Sequence, residues 1–125
     1  MPNSARLKMP RMFRRGEIWW ANLNPGSGTE PGKVRPVLIF QNEALLEARH
    51  PSTVVIPLTT NLVDDAEPLR IRIPAQGLLE KDSDLLIDQI RAIDNQRLVK
   101  GPLLHLDEDT IRQTEKAVIE VLGVV

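Results

Sequence analysis

The sequence predicts an α+β domain in which a small, strongly bent, barrel-like antiparallel sheet is followed by a C-terminal α-helix. Three observations support this prediction. About six short stretches rich in branched aliphatic residues are separated by turn residues at close intervals. The last stretch instead carries apolar residues at helical spacing behind a clear start signal. With 125 residues the chain has the usual length of one domain, so a single core is expected to serve all these elements.

The first half of the chain contains three predicted strands and one short helix. Residues 17–23, "EIWWANL", alternate weakly and end at the turn-like "NPGSG", which indicates the first strand. Residues 34–41 are apolar almost throughout, which is typical of a strand covered on both faces. A short helix over residues 42–49 stops before "HP", because the residue before a proline avoids the helical region. Residues 52–58, "STVVIPL", form the third predicted strand, in which Pro57 indicates an edge or a bulge.

The second half continues with a loop and further strands. Residues 59–68 are polar and rich in turn formers, which predicts a loop. Residues 69–73, "LRIRI", alternate strictly, so the aliphatic side chains share one face and the two arginines share the other. Residues 84–94, "DLLIDQIRAID", are predicted as a strand rather than a helix because turn-like residues bound them and they contain three isoleucines. Residues 97–106 form another short strand with a Gly-Pro break.

The final element is a helix with a defined start and end. Asp107 stands at the N-cap position, and two further acidic residues follow in the first turn, where the helix dipole favours them. Leu106 and Ile111 occupy the positions of a hydrophobic staple. Gly123 is placed to end the helix. The predicted buried stripe consists of Ile111, Val118, Val121 and Leu122.

The composition excludes several classes of protein. The absence of cysteine excludes disulfides, thiolate metal sites and cysteine nucleophiles, and it suits a reducing compartment. No apolar run approaches the length of a bilayer span, and the first residues lack the apolar centre of a signal peptide, so we expect a cytoplasmic protein without a membrane segment. The formal net charge of -1 argues against a protein that coats duplex nucleic acid.

The charge is unevenly distributed along the chain. Residues 1–15 hold five basic residues and no acidic one, whereas the remaining 110 residues hold 11 basic and 17 acidic residues. We therefore predict a basic, flexible N-terminal arm over residues 1–11 and a single domain over residues 12–125. Two interpretations of the arm stay open: a solvated tail, or a cationic segment that follows phosphates.

The usual enzyme signatures are missing. The chain has no GxxxxGK[ST], GxGxxG or GxSxG motif and no cluster of histidines with carboxylates. His50 and His105 are the two histidines, and neither has a second ionisable partner at suggestive spacing, so both are interpreted as structural or solvated. A zinc hydrolase or a Ser/His/Asp hydrolase is therefore not expected, and no metal site is predicted.

Two strand ends carry groups suited to binding an anion. Arg35 follows a Gly- and Pro-rich loop in "GTEPGKVRPVLIF" and offers a permanently charged planar fork that can hold phosphate oxygens. The proline after it keeps Arg35 extended. Thr59 and Thr60, at the end of "VVIPLTT", offer hydroxyls. From these residues alone, an arginine that forms a surface ion pair remains the alternative.

Several blocks of the chain, in this order and at these spacings, strongly resemble the MazF/PemK toxins of bacterial toxin-antitoxin modules. The blocks are "RRGEIWWANLNPGSGTEPGKVRPVLIFQN", "VVIPLTT", "DLLIDQIRAIDNQRL" and "HLDEDTI" followed by "AVIEVLG", and they cover about residues 12–123. The resemblance implies an SH3-like barrel and a homodimeric, sequence-specific endoribonuclease that is inhibited by a MazE-like antitoxin. It implies cleavage of single-stranded mRNA without metal or cofactor, through attack by the 2′-hydroxyl that leaves 2′,3′-cyclic phosphate and 5′-hydroxyl ends.

The resemblance also assigns roles to individual residues. The catalytic arginine of the family falls on Arg35 and its catalytic threonine on Thr59. Further candidates for supporting or RNA-binding roles are Thr29, Glu30, Lys33, Thr60, Asp88 and Gln89. The family's Gly-Ser-Glu appears here as "GTE", which keeps the hydroxyl, and Glu30 is either the proton acceptor for the 2′-hydroxyl or a solvated carboxylate. Asp88 stands where the family commonly has a glutamate, so base contacts from this segment are an expectation.

The roles of the strand arginines and of the two tryptophans stay open in the sequence. The strand arginines Arg70, Arg72 and Arg91 either extend a positive lining or form an ordinary solvated surface. Trp19 and Trp20 are adjacent on one strand and should point to opposite sides, with one in the core and the other at a dimer interface.

Two other functions are alternatives to the nuclease. A non-catalytic, CcdB-like gyrase poison shares the fold, but the chain carries the pair Arg35 and Thr59, and its terminal "VLGVV" lacks the Trp-Gly-Ile end of gyrase poisons. An SH3-like adaptor needs an aromatic-lined groove, and this chain has no tyrosine, two tryptophans and two phenylalanines.

Overall fold

The computed structural model describes residues 12–30 and 32–124. Within these residues the elements are β1 (Glu17–Asn22), β2 (Val34–Ile39), α1 (Glu43–Glu47), β3 (Ser52–Thr59), β4 (Arg70–Ile73), β5 (Ser83–Leu86), β6 (Arg91–Asp94), β7 (Leu98–His105) and α2 (Glu108–Leu122). Neither of these two helices is long and apolar enough to cross a membrane. The basic arm predicted for residues 1–11 lies outside the described residues, and the domain division at residue 12 stays a prediction.

The strands form one antiparallel sheet in the order β4-β5-β3-β2-β1-β7, with β6 also paired to β3. On one side β3 pairs with β2, and on the other it pairs first with β6 and then with β5. No ladder joins the end strands β4 and β7 in the described residues, although the Leu78 N–H donates to the Leu103 carbonyl of β7 at 2.9 Å. The predicted α+β fold with a bent antiparallel sheet and a C-terminal helix is confirmed, and the sheet bends without closing completely.

Apolar side chains are buried on both faces of the sheet. Leu38 of β2 packs in one cluster with β4, β5 and α2, whereas its neighbours Val37 and Ile39 pack in a second cluster that includes Trp19. A strand whose consecutive residues are all buried must be covered on both faces, as the sequence predicted for β2. The first half of β2 is different, because Arg35 and the residues around it are partly exposed. This change along one strand places Arg35 at the edge of the core.

The segment predicted as one strand over residues 84–94 consists of two strands. A 3-10 turn at Ile87–Gln89 separates β5 from β6. Pro57 of β3 lies between the residues that pair with β6 and those that pair with β5, so it faces this break. Because proline has no N–H for a ladder, a break in the partner suits its position. The expected edge position of Pro57 is wrong, since β3 lies inside the sheet.

The helix α2 begins and ends where the sequence predicts. The Asp107 side chain accepts the N–H of Thr110, and Gly123 follows the helix with φ 70° in the left-handed region. The buried residues of α2 are Thr114, Ala117 and Val118. The prediction that Leu122 belongs to the buried stripe is wrong, because its side chain is 58% exposed. Thr114 was missed because a threonine counts as polar, yet its hydroxyl donates to a carbonyl one turn earlier and can therefore be buried.

Candidate active site

Arg35 is held at the start of β2 by two hydrogen bonds to backbone carbonyls. Its Nε donates to the Gly32 carbonyl at 2.9 Å, and its Nη1 donates to the Leu58 carbonyl at 3.3 Å. No carboxylate of the described residues lies within ion-pair distance of Arg35, so the alternative of a surface ion pair has no support. Burial lowers the pKa of the Arg35 guanidinium from its ordinary value, but the group stays charged at neutral pH. The Arg35 guanidinium is thus a positively charged hydrogen-bond donor that is held in place without a carboxylate from the described residues to neutralise it.

The Leu58 carbonyl is available to Arg35 because of the proline that follows the arginine. The register of β2 on β3 pairs Val37 with Pro57, and continuing it places Pro36 opposite Leu58. Proline has no N–H to donate across the ladder. The guanidinium of Arg35 supplies the bond in its place.

The loop before Arg35 is closed at its base by two glycines. A Cβ on Gly26 would lie 2.8 Å from the backbone nitrogen of Gly32, and one on Gly32 would lie 2.7 Å from that of Gly26. The loop then returns through Lys33, which has φ 68°, and whose N–H donates to the side chain of Asn24 at 2.6 Å. The two ends of the loop therefore stay together, and the chain enters β2 in a fixed direction at Arg35.

Thr59 is the last residue of β3 and lines the same groove as Arg35. Its backbone pairs with Asp84 of β5. Its Oγ1 accepts the N–H of Asn61 at 3.1 Å. The hydroxyl keeps its own hydrogen, because it acts as the acceptor in this bond, and it can donate that hydrogen to a ligand.

Arg35 and Thr59 open into one groove with a volume of about 620 Å³. It is lined by residues 33–36, 58–61 and 78–81, together with Trp20 and Ser83. In the described part of the chain, the charged residues that line the groove are the cationic Lys33, Arg35 and Lys81 and the acidic Glu80. The groove therefore offers a guanidinium, two ammonium groups and hydroxyls, which suits an extended anion.

The structure brings together half of the predicted site residues. Arg35, Thr59, Lys33 and Thr60 all line the groove. The side chains that line no part of it are Thr29, Glu30, Asp88 and Gln89. Glu30 is exposed in the loop, where its N–H donates to the Ser27 carbonyl at 2.8 Å, and Asp88 is exposed on the 3-10 turn after β5. The catalytic and RNA-binding roles of all eight residues stay predictions.

The third wall of the groove was missed by sequence reasoning. Residues 78–81 belong to the connection between β4 and β5, and they bring Lys81 into the lining of the groove that also contains Arg35. The turn formers in "PAQGLLEKD" mark a hairpin in the sequence. The pairing of β5 with β3 is what places this hairpin beside β2, and a single sequence carries no signal for that pairing.

A buried carboxylate beside the groove was also missed. Asp84 is 1% exposed and accepts hydrogen bonds from the Val63 N–H at 2.9 Å, from Arg70 at 3.2 Å and from Arg72 at 2.5 Å. Burial acts to raise the pKa of Asp84, but the hydrogen bonds from Arg72, from the Val63 N–H and from Arg70 outweigh it and lower the pKa. Arg70 and Arg72 therefore bind Asp84 and are not among the residues that line the groove, so the first of the two interpretations left open for them has no support.

The described residues contain no group of three histidine or carboxylate side chains placed to hold a metal ion. The polar groups that converge on the groove are mainly hydrogen-bond donors. Donors placed in advance around an anion stabilise negative charge as it develops on that anion.

Comparison with known proteins relates this groove to a family. Residues 14–122 match the family described as PemK-like, MazF-like toxin of type II toxin-antitoxin system. The Endoribonuclease EndoA of Bacillus subtilis (strain 168) is 35% identical over 107 residues, which are 85% of this chain and 90% of that protein.

Solved structures show the same fold. MazF from Deinococcus radiodurans superposes with a TM-score of 0.76 at 21% identity, over 92% of this chain and 100% of that one. MazF in a MazE-MazF structure from the same organism gives a TM-score of 0.72 at 17% identity, over 93% of this chain and 100% of that one. The Mycobacterium tuberculosis toxin MazF-mt6 superposes with a TM-score of 0.71 at 21% identity, over 87% of this chain and 98% of that one. With a family match over most of its length and a relative above 30% identity, the chain belongs to the PemK-like, MazF-like toxins of type II toxin-antitoxin systems.

Proposed function

We propose that the chain is the toxin of a type II toxin-antitoxin system and acts as an endoribonuclease that cleaves single-stranded mRNA in the groove between Arg35 and Thr59. The observation that carries the proposal is the convergence of these two side chains, from separate strands, on one cationic groove. The relative with 35% identity is named an endoribonuclease, which supports the reaction class. Single strands expose the base edges that sequence-specific cleavage must read, whereas an A-form duplex hides them.

The groove supports a reaction in which RNA supplies its own nucleophile. The ribose 2′-hydroxyl attacks the adjacent phosphorus, the bond to the 5′-oxygen breaks, and that oxygen takes up a proton. The products are a 2′,3′-cyclic phosphate and a 5′-hydroxyl, so this reaction consumes no water and requires no metal-activated nucleophile. Negative charge rises on the phosphate oxygens in the transition state, where Arg35 and the Thr59 hydroxyl donate. Arg35 cannot accept the proton, since its guanidinium stays protonated.

The proton acceptor is a separate role within this proposal. Glu30 is the candidate from the family resemblance, and it lies in the loop that ends at Arg35. Glu80 is the carboxylate that lines the groove itself. A general base must come within hydrogen-bond reach of the proton that it removes, although such bonds often tighten only with substrate bound. The pH profile of single-turnover cleavage for Glu30→Gln and Glu80→Gln identifies which carboxylate accepts the proton.

The proposed partners are a second copy of the chain and a MazE-like antitoxin in the cytoplasm. Crystal structures of MazE-MazF from Deinococcus radiodurans contain a chain of this fold. Among the residues that the structure describes, three cationic side chains and one acidic one line the groove. A flexible acidic segment that orders on contact can therefore occupy it and cover Arg35. No specific observation favours the CcdB-like gyrase poison as a second function.

The proposal is tested by incubating the purified protein with a long single-stranded RNA and mapping both ends of each product. We expect cuts at a short recurring sequence, with cyclic phosphate on one side and 5′-hydroxyl on the other. An intact RNA after incubation at micromolar protein, or 5′-phosphate ends, contradicts the proposal. The same experiment gives the recognition sequence.

A further inference from the structure

A charge cluster centred on a buried carboxylate stands next to the wall of the groove that follows Thr59. We call it the Asp84 cluster, and it consists of Asp84 on β5 with Arg70 and Arg72 on β4. Asp84 is 1% exposed, and both of its carboxylate oxygens accept hydrogen bonds from arginine. The neighbouring strands place these three side chains together, since Arg72 pairs with Asp84 and Arg70 is two residues away on the same face.

The Asp84 cluster holds the start of the loop between β3 and β4. Each of its three members binds a different residue of that loop. Arg70 donates a hydrogen bond to the Asn61 carbonyl at 2.9 Å. The Val63 N–H donates to the Asp84 carboxylate at 2.9 Å, and Arg72 donates to the Asp64 carboxylate at 2.8 Å. Residues 61–64 are exposed to solvent and carry no strand or helix of their own. A loop of this kind is ordered by its anchors rather than by packing.

The anchored segment is continuous with the proposed active site. Thr59 pairs with Asp84 across the β3-β5 ladder, and Thr60 and Asn61 line the groove. The ladder fixes the backbone of Thr59 independently of the Asp84 side chain. The segment after it depends on the anchors, so the Asp84 cluster acts on the groove wall at residues 60 and 61 rather than on Thr59 itself.

We propose that Asp84 is a positioning residue that holds this wall in place for RNA binding. The inference rests on the proposed function and names a determinant of substrate binding at the same site. Replacing the carboxylate by a neutral amide removes the buried counter-charge that the two guanidinium groups share and leaves the exposed Asp64 on Arg72 as their remaining carboxylate. Like charges at this distance repel, so Arg70 and Arg72 move apart and their contacts with Asn61 and Asp64 loosen.

Asp84→Asn tests the proposal because it keeps the size of the side chain and removes its charge. The dissociation constant is measured with an RNA that carries deoxyribose at the scissile position, and the cleavage rate is measured in single turnover at saturating protein. We expect the dissociation constant to rise by about tenfold, the equivalent of one lost hydrogen bond. We expect the saturated cleavage rate to stay within about twofold, a split that general destabilisation does not produce.

Two further variants keep the test decisive. Asp109→Asn is the matched control, because Asp109 also pairs with an arginine but is exposed on α2, and it should change neither quantity. Asp64→Asn removes only the exposed anchor. Because 82% of the Asp64 side chain is accessible to solvent, this variant should stay folded and can replace Asp84→Asn if that variant unfolds. Asp64→Asn should weaken RNA binding by about two- to threefold, as expected for an exposed ion pair.

The amide of Val63 gives a readout that does not depend on nuclease activity. Its hydrogen exchange should accelerate in Asp84→Asn and stay unchanged in Asp109→Asn, because Asp84 accepts that N–H directly. A wild-type protein that cuts no RNA contradicts the proposed function, and Val63 exchange then tests the anchoring alone. Unchanged Val63 exchange, or a loss of activity confined to the saturated rate, overturns the positioning role of Asp84.

Discussion

Replacing Arg35 by alanine should abolish most RNA cleavage while leaving the protein folded. The structural cost is limited to two hydrogen bonds, to the carbonyls of Gly32 and Leu58. The groove is open, so water can reach these carbonyls, and we expect a loss of about 1–2 kcal/mol in the free energy of unfolding. A domain of this size has about 5–15 kcal/mol, so Arg35→Ala stays folded. Loss of one donor to a developing oxyanion costs about 100- to 1000-fold in rate, which far exceeds the effect of unfolding.

The assay is single-turnover cleavage of a labelled RNA, with thermal unfolding measured on the same preparations. Arg112→Ala is the control, since Arg112 is a solvent-exposed arginine on α2 that pairs with acidic residues of its own helix, and its loss should leave cleavage unchanged. Arg35→Lys should recover only part of the rate, because an ammonium group cannot hold both carbonyls and a phosphate as a planar fork can. A folded Arg35→Ala protein that cuts at the wild-type rate refutes the assignment.

Four further predictions concern the reaction, the proline after Arg35 and the buried carboxylate. An RNA with deoxyribose at the scissile nucleotide should resist cleavage, and cleavage of normal RNA should persist in EDTA; loss of activity in EDTA that magnesium restores contradicts the metal-free reaction. Pro36→Ala introduces an N–H opposite Leu58 that competes with Arg35 for its carbonyl, so single-turnover cleavage should fall by about tenfold while thermal stability is kept. Because the fold lowers the pKa of Asp84, the ionised carboxylate contributes its full stabilisation at pH values above the ordinary carboxyl pKa of 3.8. This contribution is lost as the pH falls through the lowered pKa. The stability of Asp84→Asn, measured by acid unfolding, should therefore lack this pH-dependent loss.

Most of the fold could be predicted from local patterns. The strands β1 to β4 and the start of α2 follow from short-range rules, since alternation, prolines and an N-cap aspartate act on their own neighbourhood. The division of residues 84–94 could not be predicted in this way. The run is apolar across the break, and only the pairing of β3 with two different partners requires a turn at Ile87–Gln89.

The site was predicted in part, for a physical reason. Arg35 and Thr59 stand at strand ends next to loops, and such positions are visible in a sequence. Lys81 and Asp84 gain their roles only through the pairing of β5 with β3, a contact between distant residues. The arginines of "LRIRI" look like a solvated face for the same reason, because the carboxylate that they bind lies on another strand.

The order of arginine and proline at the start of β2 is explained by the two strands beside it. Residues 34–38 of β2 pair with β1, but the pairing with β3 begins only at Val37. Pro36 has no N–H for the β3 side, so the backbone ladder ends there and the Leu58 carbonyl is left for a side chain. Arg35 Nη1 donates a hydrogen bond to this carbonyl, and the bond fixes the direction of the guanidinium. The proline thus ends the ladder at the residue next to the arginine, and the groove begins where the ladder ends. An arginine two residues further into β2, at the position of Val37, would lie within the ladder among buried neighbours, where its charge would be costly and closed to RNA.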